Sequence, residues 1–281
     1  MQLSETQQAI TDAVRSFARD RLRPCTFQYE ADGGYPPELF EELAGLGLMG
    51  MTAPLQVGGA GADYVSYALA LMEVAAADGA LSTILSIQNS LIVSALLNDG
   101  DQAQRERFLP DLISGRMIGA FALTEADAGS DAAALRTKAT KAEGGYVLNG
   151  SKQFITSGNI AKLAIVFAVT DPTAGKKGIS SFLVPTDRAG YQVDKVEHKL
   201  GQYASDTCAL RFENVLLEPE LRLGEEGEGY RIALSNLEFG RIGIAAQSIG
   251  MAQAALDIAV NYAKDRQSMG KPIIHHQAVG F

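Results

Sequence analysis

The hydrophobic period of this chain changes twice along its length, and that change constrains the fold more than any single motif. Up to about residue 117 the apolar residues recur at helical spacing. Ser4 is placed to cap a first helix carrying Ile10, Val14 and Phe17, which Pro24 ends. Pro36-Pro37-Glu38 opens a second helix, with Leu39, Phe40, Leu43 and Leu46 on one side. The glycine-rich run Gln56–Gly61 lacks the preceding strand and the spacing of a dinucleotide turn, so it reads as a loop, and Asp63 starts the next helix. Two long helices are predicted at about 63–77 and 80–98, then a shorter one from Asp101 toward Gly115.

The texture then becomes β-rich, with runs at 117–124, 135–142, 145–149, 152–156, 163–169, 179–184, 191–196 and 206–213. Turn signals separate them, among them Glu143-Gly-Gly145, Asn149-Gly150, Asp171-Pro172 and Lys177-Gly178. From about 228 the helical period returns in one very long helix marked by Ile232, Leu234, Leu237, Ile242, Ile244, Ile249, Met251 and Leu256. Gly240, Gly243 and Gly250 weaken this helix without ending it, and Gly270-Lys-Pro272 stops it. Ile273 begins another element, which reads as a helix still running at Phe281.

A helix block, a strand block and a second helix block exclude a Rossmann sheet, in which strands and helices alternate. The predicted class is α+β. An N-terminal helical domain (1–117) precedes a central antiparallel β-barrel or sandwich (118–215), followed by the start of a C-terminal helical bundle, read as truncated (216–281). Stopping at Phe281 inside a predicted helix, the chain reads as a fragment of a longer protein, with a naturally short relative as the alternative. The helix 228–264 is then expected to expose an apolar face.

Composition narrows the partners. A net charge of −9 argues against nucleic acid, which demands a basic surface. Cys25 and Cys208, far apart and without CxxC spacing, suit unpaired thiols in a reducing compartment. The first residues show neither a basic n-region nor an apolar h-region, and Leu81–Leu97 is interrupted by Ser82, Thr83, Ser86, Gln88, Asn89 and Ser90. A cytoplasmic protein without membrane insertion is expected. His198, His275 and His276 have no metal-ligand spacing, so no metal site is expected.

The chemistry concentrates in Phe121-Ala-Leu-Thr-Glu-Ala-Asp-Ala-Gly-Ser-Asp131 and Gln153-Phe-Ile-Thr-Ser-Gly158. Both read as strand ends carrying hydroxyls, small residues and one flat aromatic, parts that suit a planar ring with a polar edge. Tyr146–Lys152, Lys199–Thr207, Glu238–Gly243 and Arg266–Pro272 with His276-Gln277 follow in order. Together these segments resemble the acyl-CoA dehydrogenase family along essentially the whole chain. Ser86-Ile-Gln-Asn-Ser90 is most similar to its short-chain or short-branched-chain members.

The resemblance implies FAD between the β domain and the last helices, an acyl-CoA substrate, electron-transferring flavoprotein as acceptor, and a homotetramer or dimer. It places Phe121, Leu123, Thr124, Phe154, Ile155 and Thr156 around the flavin, with Thr156 near its N5. Phe154 stands where many relatives have tryptophan. Ser130 would meet the pantetheine or thioester end of the substrate, and Leu234, Leu237, Glu238 and Arg241 would border its channel. Arg266, Ser268, Met269 and Gln277 would reach the FAD of a neighbouring subunit. Each also has an ordinary reading as a strand threonine, a core aromatic or a solvated arginine, and Arg241 could pair with Glu238.

The implied reaction is α,β-dehydrogenation of an acyl-CoA thioester, in which a carboxylate removes the α-proton. In most relatives that carboxylate lies in the C-terminal helices, at a position beyond Phe281. In a minority it immediately precedes the arginine that matches Arg241, and here that position is Gly240. No catalytic base is therefore expected among residues 1–281; it is expected beyond Phe281. An acyl-CoA oxidase, or a non-catalytic acyl-CoA- and FAD-binding relative, remains the alternative reading.

Overall fold

A computed structural model describes residues 2–281. Helix α1 (Glu5–Phe17) begins with a capping box: the Ser4 hydroxyl accepts from Gln7 N, and the Gln7 side chain accepts from Ser4 N. A π-helical turn, Ala18–Leu22, follows it. Helix α2 (Thr26–Asp32) has no counterpart in the sequence reading, and Pro37 then opens α3 (Pro37–Gly45). Asp63 caps α4 (Tyr64–Ala77) by accepting from Ser66 N. Asp78 caps α5 (Gly79–Ile87), which passes through a π-helical stretch, Gln88–Val93, into α6 (Ser94–Asp99). A second capping box, Asp101 with Gln104, starts α7 (Gln102–Ile113).

The strand block holds β1 (Gly119–Ala122), β2 (Lys138–Ala142), β3 (Gly145–Thr156), β4 (Leu163–Val169), β5 (Ile179–Pro185), β6 (Tyr191–Val196), β7 (Thr207–Leu217) and β8 (Arg222–Leu223). They form one sheet in the order β6-β7-β3-β2-β4-β5-β8, with β1 against β4. Pairing is antiparallel except that β1 runs parallel to β4 and β2 meets β4 in a parallel pair at Lys138 and Val169. Strands β1 and β2 therefore share the flank of β4, one at each end. The runs 145–149 and 152–156 are one bulged strand. Asn149-Gly150 is an irregularity within it, and a Cβ on Gly150 would lie 2.7 Å from Thr137 Cα.

Helix α8 (Gly229–Asp265) is a single rod of 37 residues. It ends at Asp265, one residue past the expected 228–264 and ahead of Gly270-Lys-Pro272. Met269-Gly270, both at positive φ (51° and 77°), turn a short hairpin of β9 (Gln267–Ser268) and β10 (Lys271–Pro272). A 3-10 turn, Ile273–His275, and a final short helix, α9 (Gln277–Gly280), follow. The helical hydrogen bonding continues to Phe281, whose N–H donates to Gln277 O over 3.0 Å.

One apolar core fills the sheet and extends through Ile92, Leu96 and Phe108 to Ile232 at the start of α8. A second lies among α1, α3, α4 and α5, with Ala246 of α8 sealing it. Two stretches, Gly79–Asp99 and Gly229–Asp265, have the length and apolar content to cross a membrane. The first is mostly buried inside the protein. The second buries Ile232, Ala233, Asn236, Gly243, Ala246, Gln247 and Gly250, while Leu234, Ile242, Ile244, Ile249, Leu256 and Ile258 are exposed.

Candidate functional site

The two hydroxyl-bearing segments follow β1 and end β3, which do not pair in the sheet, and are joined directly: Gln153 N donates to Thr124 O over 2.8 Å. Phe121 is half-buried, with its ring 4.8 Å from that of Phe167. Leu123 and Ile155 are buried in the main core, so only their backbones can face a ligand. Thr124 and Thr156 are half-buried, and neither hydroxyl has a hydrogen-bond partner among the described residues. Phe154 sits where β3 leaves register with β7, at φ 58°, and 60% of it is exposed. An aromatic that is neither in the core nor stacked on another ring, held in a left-handed conformation, is a costly arrangement for packing alone.

Beyond Thr124 the chain makes a tight turn in which Glu125 and Ala128 exchange backbone hydrogen bonds, and this turn leads to exposed Ser130. The Glu125 carboxylate is buried beneath it. Oε1 accepts from Thr137 N over 3.0 Å and from Lys152 Nζ over 2.7 Å, and Oε2 accepts from Arg136 N over 2.6 Å. Lys152 Nζ also donates to Leu123 O over 3.0 Å. Burial pushes the Lys152 ammonium down to about 8 against the pull of Glu125. For Glu125, burial acts to raise the pKa, but the charge and hydrogen bond of Lys152 outweigh it and hold the carboxyl below its usual range. A carboxylate committed to so many donors is not poised as a base.

The other wall is pinned from behind by Asp206. It accepts from Asn159 N over 2.8 Å, and its backbone carbonyl accepts from Ser157 N. A polar recess of about 410 Å³ opens beside Thr156, lined by Thr83, Lys199, Leu200, Gln202, Ser205 and Thr207. Lys199 closes its own loop by donating to the carbonyls of Gln202 and Ser205 and to the Thr207 hydroxyl.

One helical turn beyond Thr83, the same α5 face enters a second cavity of about 480 Å³. Ser86, Ile87, Ser90 and Leu91 line one side, and Leu237, Gly240, Arg241 and Ile244 of α8 line the other. Tyr67 Oη is buried behind Ser86 and Ser90 without a well-formed hydrogen bond, and burial pushes its pKa up. Gln247 ties α8 to α5 through Gly79 O, Ser82 Oγ and Thr83 Oγ1.

Of the four residues assigned to a substrate channel, Leu237 and Arg241 line this cavity. Leu234 and Glu238 are exposed and lie outside its lining. Arg241 makes no ion pair with Glu238 or with any other described residue. Arg266, Ser268, Met269 and Gln277 are exposed on the hairpin and terminal turn, whose hydrogen bonds stay within that segment and the end of α8. The structure therefore does not join them to the Thr124 and Thr156 walls of the same chain. Phe281, at the end of the same segment, lines neither the recess nor the cavity. Among the described residues there is no group of three histidine, cysteine or carboxylate side chains placed to hold a metal.

Sequence reasoning did not assign a role to Lys152, Tyr67, Thr83 or Gln247. The Lys152 signal was present: Tyr146, Leu148 and Lys152 share one strand parity, and that parity faces inward. Tyr67 and Gln247 carried no comparable mark, because a polar residue on a helix is ordinary until the opposing helix is known.

The exposed Phe154 ring, two free threonine hydroxyls beside it and the open loop at Gly129 fit FAD, a planar ring system with polar edges. The comparisons with known proteins agree. The chain matches the acyl-CoA dehydrogenase N-terminal domain over residues 4–116, the middle domain over 120–215 and the C-terminal domain over 227–281. It is 45% identical to an acyl-CoA dehydrogenase of Bacillus subtilis (strain 168), covering 100% of this chain and 74% of that protein. The solved structure of butyryl-CoA dehydrogenase from Megasphaera elsdenii superposes with a TM-score of 0.95 at 41% identity, over 100% of this chain and 74% of that one. A glutaryl-CoA dehydrogenase from Mycobacterium smegmatis in complex with FADH2 gives a TM-score of 0.93 at 36% identity, over 99% and 70% of the two chains. With its three domains matched in order and its strand-end walls suited to a flavin, the chain belongs to the acyl-CoA dehydrogenase family of FAD-dependent oxidoreductases.

Proposed function

We propose that these residues form the flavin- and acyl-binding part of an α,β-dehydrogenase acting on short or branched acyl-CoA thioesters. Electrons would pass to an electron-transferring flavoprotein. The observation that carries the reading is the course of α5. It presents Thr83 to the recess beside Thr156 and, one turn later, Ser86 to the cavity against α8. A flavin at the first site and an acyl chain in the second would meet along one helix face.

FAD would be held by the Thr124 and Thr156 hydroxyls, the strand-end backbone and the Phe154 ring. When bound, it supplies the hydride acceptor for the β-carbon. Ser130 would meet the thioester end. Leu91, Leu237 and Ile244 would exclude water from the chain, and the unpaired Arg241 would offer donors at the edge of the cavity. Arg266, Ser268, Met269 and Gln277 would serve a neighbouring subunit's flavin in a homo-oligomer. The division near residues 117 and 215, a cytoplasmic setting, and the absence of nucleic-acid or membrane partners belong to the same reading.

None of the residues lining the cavity is a carboxylate, and Glu125 is fully engaged. Both facts support a catalytic base supplied from outside residues 1–281, beyond Phe281 in the same protein. The same facts favour, as a second reading, an acyl-CoA- and FAD-binding protein without dehydrogenase activity of its own.

Anaerobic titration of the FAD-loaded protein with butyryl-CoA tests both. A shifted but unbleached flavin band is the expected result. Bleaching would place a base within these residues and send attention to Glu238. Failure to retain FAD through gel filtration would remove the flavin reading altogether.

A further inference from the structure

We propose that Lys152 and Glu125 act as a positioning pair that fixes the two flavin walls in one register. The inference rests on reading 121–124 and 154–156 as those walls. Three consecutive residues leaving β1 are each bound to the β3 residues just before Phe154. Lys152 Nζ takes Leu123 O at 3.0 Å, Gln153 N takes Thr124 O at 2.8 Å, and Lys152 Nζ takes Glu125 Oε1 at 2.7 Å. Glu125 extends the clamp to Arg136 N and Thr137 N, ahead of β2.

The clamp sits where the ordinary ladder fails. Strand β3 pairs with β7 at Lys152 and Leu210, then next at Ile155 and Cys208, with a register shift between. The backbone of Phe154 is therefore not set by its β7 neighbour, and its φ of 58° has to be held from another side. Lys152 and Gln153 hold it from β1. The same carboxylate sits beneath the turn at Glu125–Ala128 that leads to Ser130, so one ion pair orients residues on both the flavin and the thioester side.

Stability alone does not call for this arrangement. The Lys152 side chain has no solvent exposure, and a buried ammonium is costly even when paired. A well-packed apolar pair in place of both residues would fill the space as stably, but it would leave Leu123 O, Arg136 N and Thr137 N without these partners. What the pair contributes is direction.

The test uses Lys152→Met, Glu125→Gln and the double variant of the 281-residue protein. FAD affinity is read by flavin fluorescence, the flavin environment by its visible absorption bands, and folding by far-UV circular dichroism and urea midpoints. Lys152→Met and the double variant are each expected to weaken FAD binding about tenfold, the scale of a lost charge-assisted hydrogen bond. Both should also shift the flavin bands while the circular dichroism is kept. If Lys152→Met does not fold, the double variant, which buries no lone charge, decides. Affinity and bands unchanged in the double variant would overturn the pair's role while leaving the flavin walls intact, even if the urea midpoint falls. A parent protein that binds no FAD would overturn the wall reading and the pair with it.

Discussion

Gly243 of α8 lies directly over the Ser86 hydroxyl of α5: a Cβ at that position would overlap Ser86 Oγ and approach Tyr67 Oη to 2.7 Å. The absence of a side chain is what lets the two helices close beside the cavity between them. One turn earlier, Gly240 faces the same helix with ordinary clearance, 3.5 Å to Ser90 Oγ and 3.6 Å to Leu91 Cδ2.

These two glycines should therefore respond oppositely to alanine. Gly240→Ala gains helix propensity without a clash and is expected to stabilise the fold by up to ~1 kcal/mol. Gly243→Ala gains the same propensity but must displace the buried Ser86 and Tyr67 hydroxyls, a cost of about 1–3 kcal/mol that should leave it net destabilised. Urea denaturation of the two variants beside the parent is the check. Equal midpoints would show that α8 can shift to admit the methyl.

Thr156→Val removes a hydroxyl that bonds nothing in the chain while keeping the branched shape. The fold should be unaffected, and FAD affinity should fall by roughly three- to tenfold, the worth of one hydrogen bond. Fluorescence titration measures it. An unchanged affinity would mean that the hydroxyl does not meet the flavin. Thr140→Val, on an exposed face of β2, is the matched control and should leave affinity as it was.

The elements that were legible in the sequence are those with local causes. Ser4, Asp63 and Asp101 announce their helices because a cap is a side chain bonding a backbone three residues away. The strand-end residues around Thr124 and Thr156 stood out because their residue types are unusual together. What escaped depends on partners distant in sequence. Asn149-Gly150 has turn chemistry, yet it sits inside β3 because β7 pairs on both sides of it. Leu234 continues the stripe of Leu237, Arg241 and Ile244, but the cavity ends before it, and periodicity cannot show where an opposing helix stops. The ion pair of Lys152 needed two strands to be brought together before either charge had a meaning.

The outer face of α8 predicts association. Ile242, Ile249 and Leu256 recur at seven-residue spacing along one face of α8 and are all exposed, an apolar row of the kind that self-associates. Light scattering of the 281-residue protein should show concentration-dependent association, and the double variant Ile249→Lys, Leu256→Lys should reduce it without loss of helicity. A parent that stays monomeric at high concentration would show that the face is tolerated in water.

The thiols give a pH-dependent prediction with a definite sign. Cys208 is fully buried on β7, and burial, with the adjacent Asp206, pushes its pKa up to about 12. Cys25 is only half-buried. A thiol reagent at mildly alkaline pH should therefore label Cys25 in the native protein and reach Cys208 only after denaturation. In the unfolded chain the Cys208 thiol titrates near its ordinary value of about 8.5. Between that value and about 12 the unfolded chain has lost a proton that the folded chain retains, so folding stability falls as pH rises through this window. Cys208→Ala abolishes that contribution and leaves only a constant packing loss. Urea midpoints at about pH 8 and pH 10 should therefore fall further for the parent than for Cys208→Ala. Parallel losses in the two proteins would mean that the buried thiol does not carry the linkage.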